Sequence, residues 1–186
     1  MLIACLGWGS LVWQPGDLPV RGEWFTDGPF LPIEFARRSG NGRLTLVLVP
    51  KTFPLVRSLW KPMWVNSLTE ARKALGKREC PNHEKPESCV DYWPRGSRNR
   101  FVVQRVRQWA KSLQIDAVVW TNLPPKFNDE DKRIPTAEEA VTYLRGLQGE
   151  KREKAEQYIR MAPKQVDTDY RRRIHVELGW CCQSPV

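Results

Sequence analysis

The first segment that could do chemistry is a glycine-rich turn near the start of the sequence, Gly7-Trp8-Gly9-Ser10-Leu11. It follows an apolar run at positions 2–6, which predicts a buried strand that enters a turn. Glycine lets the backbone bend sharply and bring successive N–H groups close to a ligand. Such a set of donors, together with the Ser10 hydroxyl, suits an anionic or oxyanionic group. By itself the turn favours a plain tight turn, with a site of this kind as the alternative.

Three known motifs that resemble this turn do not fit it. The dinucleotide-binding fingerprint needs a third glycine where Val12 stands. A phosphate-binding P-loop needs Gly-Lys-Ser/Thr, which is missing here. The nucleophile elbow needs glycines two residues before and two residues after the serine, whereas Trp8 and Val12 flank Ser10. The sequence thus favours neither a nucleotide phosphate nor a nucleophilic serine at this turn.

The second segment with reactive side chains runs from Cys80 through His83 to Cys89. A closed zinc site needs four ligands, and the fourth would have to come from His175 or from the cysteines at 181 and 182. The spacing matches no standard zinc motif, so we expect a polar loop without metal, zinc binding being the alternative. The cysteine count of five is odd, which favours a reducing compartment, and we expect a cytoplasmic protein.

A third candidate is a basic stretch at positions 95–111, which contains no acidic residue. Its cations are Arg95, Arg98, Arg100, Arg105, Arg107 and Lys111, and the aromatic residues in and beside it are Tyr92, Trp93, Phe101 and Trp109. Cations neutralise phosphates and aromatic rings stack on bases, so this pattern suits single-stranded nucleic acid. A solvated helix face is the preferred interpretation, because helical spacing assigns the aromatic residues to the core. Residues 171–173, three arginines in a row, are interpreted in the same way.

The elements that must position these residues are predicted from periodicity and turn signals. Asn41-Gly42 predicts a hairpin, and Ser67 with Glu70 predicts a helix start. We expect strands at 2–6, 33–37, 43–49, 55–63 and 115–120, helices at 67–76, 102–113, 136–147 and 150–161, and a helical turn or edge strand within 167–180. This order predicts an α+β fold in one domain, 1–186, with a loop insertion at 80–100 and a helical C-terminal region, 136–180.

The composition limits the classes of function. The 186 residues are 41% hydrophobic and 27% charged, which predicts a folded domain and not a disordered chain. Thirty Lys and Arg residues against twenty-one Asp and Glu give a net charge of +9, which suits an anionic partner or substrate. No apolar run approaches the roughly 20 residues of a membrane span, so we expect no membrane association.

Two motifs in order resemble the γ-glutamylcyclotransferase-like superfamily, which includes the ChaC and AIG2-like proteins. The first is the strand that leads into Trp8-Gly9-Ser10-Leu11, followed by Val12-Trp13-Gln14-Pro15-Gly16. The second is Leu75-Gly76-Lys77-Arg78-Glu79, which fits the superfamily's Leu-(x)3-Glu after a strand and a short helix. The resemblance covers roughly the first eighty residues by motif. It implies a curled mixed sheet or small barrel flanked by helices.

The resemblance also implies roles for named residues. Gly7, Trp8, Gly9, Ser10 and Leu11 would form the loop that binds a γ-glutamyl group, and Glu79 would be the catalytic acid and base. Members often supply a C-terminal tyrosine to the substrate site, for which Tyr143 is the nearest candidate. The implied reaction converts a small γ-glutamyl amide to 5-oxoproline and a free amine without a cofactor. The alternative is a non-catalytic relative that binds an anionic ligand or nucleic acid through its basic surface.

This sequence departs from the superfamily pattern at two positions. Trp8 stands where the pattern has tyrosine or phenylalanine, and Cys80 stands where a glycine usually follows the catalytic glutamate.

Overall fold

The chain folds into nine strands and five helices in a computed structural model that describes residues 1–97 and 99–184. The strands are β1 Ile3–Gly7, β2 Phe30–Arg38, β3 Leu44–Leu48, β4 Leu55–Arg57, β5 Leu59–Pro62, β6 Val90–Trp93, β7 Ala117–Thr121, β8 Lys126–Phe127 and β9 Glu130–Asp131. The helices are α1 Leu68–Glu79, α2 Arg100–Ser112, α3 Ala137–Gly146, α4 Gly149–Met161 and α5 Asp169–Leu178. The strands form two mixed sheets. The predicted α+β class is therefore confirmed.

The first of two compact units comprises residues 1–7, 14–31 and 57–123. Its sheet has the order β5-β1-β7-β6, in which β1 is parallel to β7 and antiparallel to β5. Every residue of β1 is buried, as expected for an apolar strand in the middle of a sheet. Helix α1 packs against β7.

Helix α1 begins as predicted but is three residues longer. The Ser67 side chain accepts the Glu70 N–H at 3.2 Å and caps the helix. The helix passes through Gly76 and ends at Glu79. A β-carbon at residue 76 would lie 2.5 Å from the carbonyl carbon of Pro86, so this glycine allows a close approach and does not stop the helix.

The segment 80–100, predicted as a loop, contains regular structure. A 3-10 turn at Pro86–Cys89 leads into β6, which pairs antiparallel with β7 at the edge of the sheet. A disulfide joins Cys80 to Cys89 and closes this segment onto the end of α1. The prediction of a loop throughout 80–100 is therefore wrong for residues 86–93, because local proline and charge signals do not reveal pairing with a distant strand.

The second unit comprises residues 8–13, 32–56 and 124–186. Its strands follow the order β3-β2-β8-β9, and β4 also pairs with β2. The predicted hairpin turns at Gly42, whose φ of +85° favours glycine. Helices α3, α4 and α5 occupy the predicted helical region, and the 167–180 segment is helical and not an edge strand. Whether the two units form the single predicted domain stays a prediction.

The predicted strand at 55–63 is two short strands that belong to different sheets. Ser58 lies between β4 and β5, and both its N–H and its hydroxyl donate to the Pro29 carbonyl, at 3.1 and 2.8 Å. The strand is interrupted at Ser58 because the Ser58 N–H, bonded to Pro29, is no longer available to another strand. Within residues 1–97 and 99–184, no helix combines the length and apolar character needed to cross a bilayer.

Candidate functional site

Glu79, the predicted catalytic carboxylate, is the last residue of α1 in the first unit. Its side chain is only 16% exposed, and its Oε1 lies 3.2 Å from a guanidinium nitrogen of Arg78. The other terminal nitrogen of Arg78 donates to the Gln14 carbonyl at 2.8 Å. Glu79 is therefore a mostly buried acid with a cation beside it, whereas an isolated helix-end glutamate would be solvated.

The pKa of the buried Cys5 thiol in β1 is affected by the charge of Glu79. Cys5 lies in the middle of β1, and burial is the main cause that raises the pKa of its thiol far above the ordinary value. The negative charge of Glu79 raises this pKa further, and the positive charge of Arg78 opposes it. The charges of Glu79 and Arg78 thus have opposite effects on the pKa of a thiol in β1, the strand that ends at Gly7.

The glycine turn beyond Gly7 belongs to the second unit and is packed tightly there. Trp8 is buried, and its indole N–H donates to the Leu46 carbonyl in β3 at 3.3 Å. The Val12 N–H donates to the Gly9 carbonyl at 2.9 Å, which closes the turn. Leu11 is buried and Ser10 is half-buried. The Trp8 ring therefore serves the core of this unit, with its polar group satisfied internally.

Tyr158 on α4 is the tyrosine that contacts the glycine turn. A β-carbon on residue 9 would lie closer to the Tyr158 hydroxyl oxygen than van der Waals contact allows. The same hydroxyl accepts the Leu46 N–H at 3.3 Å, and the ring meets Trp13 edge-on at a centroid distance of 5.3 Å. Sequence reasoning missed this residue. Helical spacing of buried positions in the otherwise charged α4, at Ala155, Tyr158 and Ile159, is the signal that marks it.

Tyr143, the tyrosine predicted from sequence, lies elsewhere in the second unit. Its hydroxyl donates to the Gly42 carbonyl at 2.7 Å, and its ring packs edge-on against Phe127. Burial raises the pKa of Tyr143, and the neighbouring Arg38 guanidinium lowers it. The residue lines a cavity of about 410 Å³ with Phe127, Asn128, Thr136, Glu138, Glu139 and Thr142. A role for Tyr143 in substrate binding stays a prediction.

In the segment considered for zinc, two of the three candidate ligands are bonded to each other. Cys80 and Cys89 are joined to each other, and His83 Nδ1 accepts the Lys85 N–H at 3.2 Å. The φ of Cys80 is −133°, so glycine is not required at the position after Glu79. Across the described residues, no three His, Cys, Asp or Glu side chains are arranged to hold a metal ion.

The basic stretch at 95–111 lies mainly on α2, with Arg98 outside the described residues. The helix buries Val102, Val106 and Ala110, and Trp109 is half-buried with its indole N–H donated to the Asp27 carbonyl at 2.9 Å. The expected apolar stripe is therefore present.

The chain matches no protein-family model and no curated protein sequence.

Proposed function

We propose that this protein is a γ-glutamylcyclotransferase-like enzyme that converts a small γ-glutamyl amide to 5-oxoproline and a free amine. The same proposal extends to its architecture, whose two sheets and flanking helices would be a variant of that superfamily's curled sheet or barrel. Glu79 is the general acid and base, and residues 7–11 bind the γ-glutamyl group. The reaction in this form uses no cofactor.

One observation carries the proposal: the Glu79 side chain, at the end of α1, is only 16% exposed and lies beside the Arg78 guanidinium. Gly7, two residues beyond Cys5, begins the glycine turn. A mostly buried carboxylate at the end of a helix is a typical feature of functional sites, which supports a role in function over a chance helix end.

The proposed chemistry needs a proton acceptor and a set of hydrogen-bond donors. The α-ammonium of the substrate first gives a proton to Glu79, and the free amine attacks its own γ-carbonyl carbon. Backbone N–H groups of the turn stabilise the negative charge that develops on the carbonyl oxygen. The carbon–nitrogen bond of the amide then breaks as Glu79 returns its proton to the departing amine. The ring nitrogen gives its second proton to Glu79, which passes it to the released amine, so that the products are a neutral lactam nitrogen and an ammonium. Because ring closure is intramolecular, holding the substrate folded supplies much of the rate.

Tyr158 takes, in this proposal, the position expected for the C-terminal tyrosine of the superfamily. Its hydroxyl contacts the turn at Gly9, and the neighbouring N–H of Leu46 orients it. It would hold the turn in the shape that binds substrate.

The test is release of 5-oxoproline from a panel of γ-glutamyl amino acids and peptides. We expect activity in the wild type and a loss of about 10²- to 10⁴-fold in kcat for Glu79→Gln. Glu84→Gln, which changes an exposed glutamate outside α1, is the matched control and should keep full activity. Equal turnover by the Glu79→Gln variant, or no lactam from any member of the panel, would refute the assignment.

A further inference from the structure

The exposed aromatic side chains of the described residues lie on two chain segments that hydrogen-bond to each other. Among the described residues, the aromatic side chains that are more than a third exposed are Phe25 at 49%, Phe30 at 40% and Trp64 at 59%. All three belong to the first unit. Large exposed rings are unfavourable in water, so a cluster of them marks an interaction surface.

Each of these rings has one face covered by a neighbour from the same unit. The Arg21 guanidinium lies 2.9 Å from the centroid of Trp64, and the Arg57 guanidinium lies 4.1 Å from that of Phe30. Phe25 stacks on the buried Trp60, with a centroid distance of 4.5 Å and an interplanar angle of 19°. The orientation of each ring is therefore held by a neighbour, while a large part of each residue stays exposed.

Backbone hydrogen bonds connect the two chain segments that carry the three rings. Phe25 and Trp60 exchange two such bonds, at 2.9 and 3.0 Å, and the Trp64 N–H donates to the Pro19 carbonyl at 2.7 Å. The next contact along the chain is the bond from Ser58 to Pro29, beside Phe30. We call residues 19–30 and 57–64 the aromatic ribbon.

Four cations of the ribbon and of its neighbour α2 form no ion pair, and the ribbon also contains the acids Glu23 and Asp27. Arg21, Arg57, Lys61 and Arg105 form no ion pair with any acid of the described residues. Arg105, on α2, donates to the Phe30 carbonyl, which places this cation at the ribbon. The acid Asp27 accepts the Trp60 indole N–H at 2.7 Å, which supports the aromatic cluster. The surface thus combines open ring faces with unpaired positive charge.

We propose that the aromatic ribbon binds single-stranded nucleic acid, with bases stacked on Phe25, Phe30 and Trp64 and phosphates held by the neighbouring cations. Stacking needs the free face of an unpaired base, which a duplex does not offer. Phosphates supply the negative charge that the four unpaired cations and the net charge of +9 attract. This function is separate from the proposed lactam-forming reaction and does not use Glu79.

The test measures binding of a fluorescein-labelled 12-nucleotide oligothymidine by fluorescence anisotropy over a range of salt concentrations. We expect Phe25→Leu, Phe30→Leu and Trp64→Leu each to weaken binding by about tenfold, because leucine stays apolar but cannot stack. Arg57→Gln should reduce the slope of log K against log salt by about 0.7, the value for one phosphate contact with a single strand. Arg152→Gln is the matched control, since Arg152 is also a half-buried arginine beside a ring, Trp180, but lies in the second unit.

Two further measurements distinguish base stacking from attraction between charges and from misfolding of the variants. A 12-unit abasic strand should bind at least tenfold more weakly than oligothymidine, and Phe25→Trp should retain wild-type affinity because it restores a stacking ring. Equal binding of the abasic strand, equal effects of Arg57→Gln and Arg152→Gln, or no binding at low salt would overturn the proposal. So would a concentration-dependent dimer in sedimentation that the leucine variants abolish, because the ribbon would then be a contact between copies of this chain.

Discussion

The hydroxyl of Tyr158 and the α-carbon of Gly9 are packed so closely that no side chain fits between them. Tyr158 is 5% exposed, and its hydroxyl also accepts the Leu46 N–H, so the ring is held from two sides. The glycine turn predicted from sequence as a ligand loop is therefore also a packing site for α4. Each of these constraints can be tested separately.

The first prediction concerns this contact. Gly9→Ala should lower the free energy of unfolding by about 1–3 kcal/mol, because its β-carbon would overlap the Tyr158 oxygen. Tyr158→Phe removes that oxygen, so Gly9→Ala should cost less in the Tyr158→Phe background. Urea unfolding measures both differences. Gly146→Ala, at a position with open space around it, is the control and should be nearly neutral. Strictly additive effects of Gly9→Ala and Tyr158→Phe would contradict this account.

The second prediction concerns Glu34, a carboxyl buried in β2 beside the start of α5. Burial raises its pKa from 4.5 to about 7, while hydrogen bonds from the Thr168 side chain and from the Phe35 and Tyr170 N–H groups oppose this shift and the charge of Asp169 adds to it. A raised pKa means that the folded protein favours the protonated acid. Its contribution to stability is therefore complete below about pH 4.5 and is lost as the pH rises through about 7.

Replacing Glu34 should remove this dependence. Glu34→Gln should be more stable than the wild type at pH 8, by roughly 3 kcal/mol at most, with little difference at pH 4.5. Chemical unfolding at a series of pH values measures the effect. Glu84→Gln, at an exposed position, should follow the wild-type curve. A Glu34→Gln curve parallel to that of the wild type would show that Glu34 is not the titrating group.

The third prediction concerns the disulfide between Cys80 and Cys89. The bridge closes a short loop of sequence separation 9, and opening it should lower the free energy of unfolding by roughly 2–3 kcal/mol, because the reduced unfolded chain gains entropy. Cys80→Ser with Cys89→Ser should reproduce the effect of a reducing agent, as measured by thermal unfolding. The exposed free cysteines Cys181 and Cys182 provide the control, since their replacement by serine should leave stability unchanged. Insensitivity of the wild type to reductant would contradict the bridge.

The fourth prediction rests on the proposed enzymatic function and separates the two candidate tyrosines. Tyr158→Phe should reduce kcat/KM for the best γ-glutamyl substrate by about tenfold, because one hydrogen bond at the turn is lost. Tyr92→Phe, a half-buried tyrosine under Arg72, should not change it. A larger loss in Tyr143→Phe than in Tyr158→Phe would return the role to the residue that the sequence predicted.

Local signals were sufficient for the elements that depend on local interactions. Ser67 and Glu70 form the cap of α1 that their spacing predicts, and Asn41-Gly42 forms the predicted hairpin turn. The predicted end of α1 is wrong because glycine usually ends a helix, whereas Gly76 lies within the helix. Glycine is required at this position because the Pro86 backbone leaves no room for a β-carbon. Helix propensities describe single residues and their near neighbours, so they do not reveal this tertiary contact.

Arg171 shows the same limit for charged residues. The run of three arginines predicted a solvated face, and Arg172 and Arg173 do pair with exposed acids. Arg171 is only 6% exposed and donates to the backbone carbonyls of Ile159 and Ala162 at the end of α4. Unpaired carbonyls at a helix end need donors, and the tertiary packing of α5 brings this one to them.

The amino-acid sequence by itself determined the α+β class, the position of the glycine turn and the start of the first helix at its Ser67 cap, because turns, caps and apolar periodicity act over a few residues. Tertiary structure alone decided that Tyr158 contacts the turn, that Cys80 meets Cys89 across a folded segment, and that Phe25, Phe30 and Trp64 remain exposed on one ribbon. These outcomes depend on which surfaces are buried together, and burial is set by packing between residues that are distant in the chain.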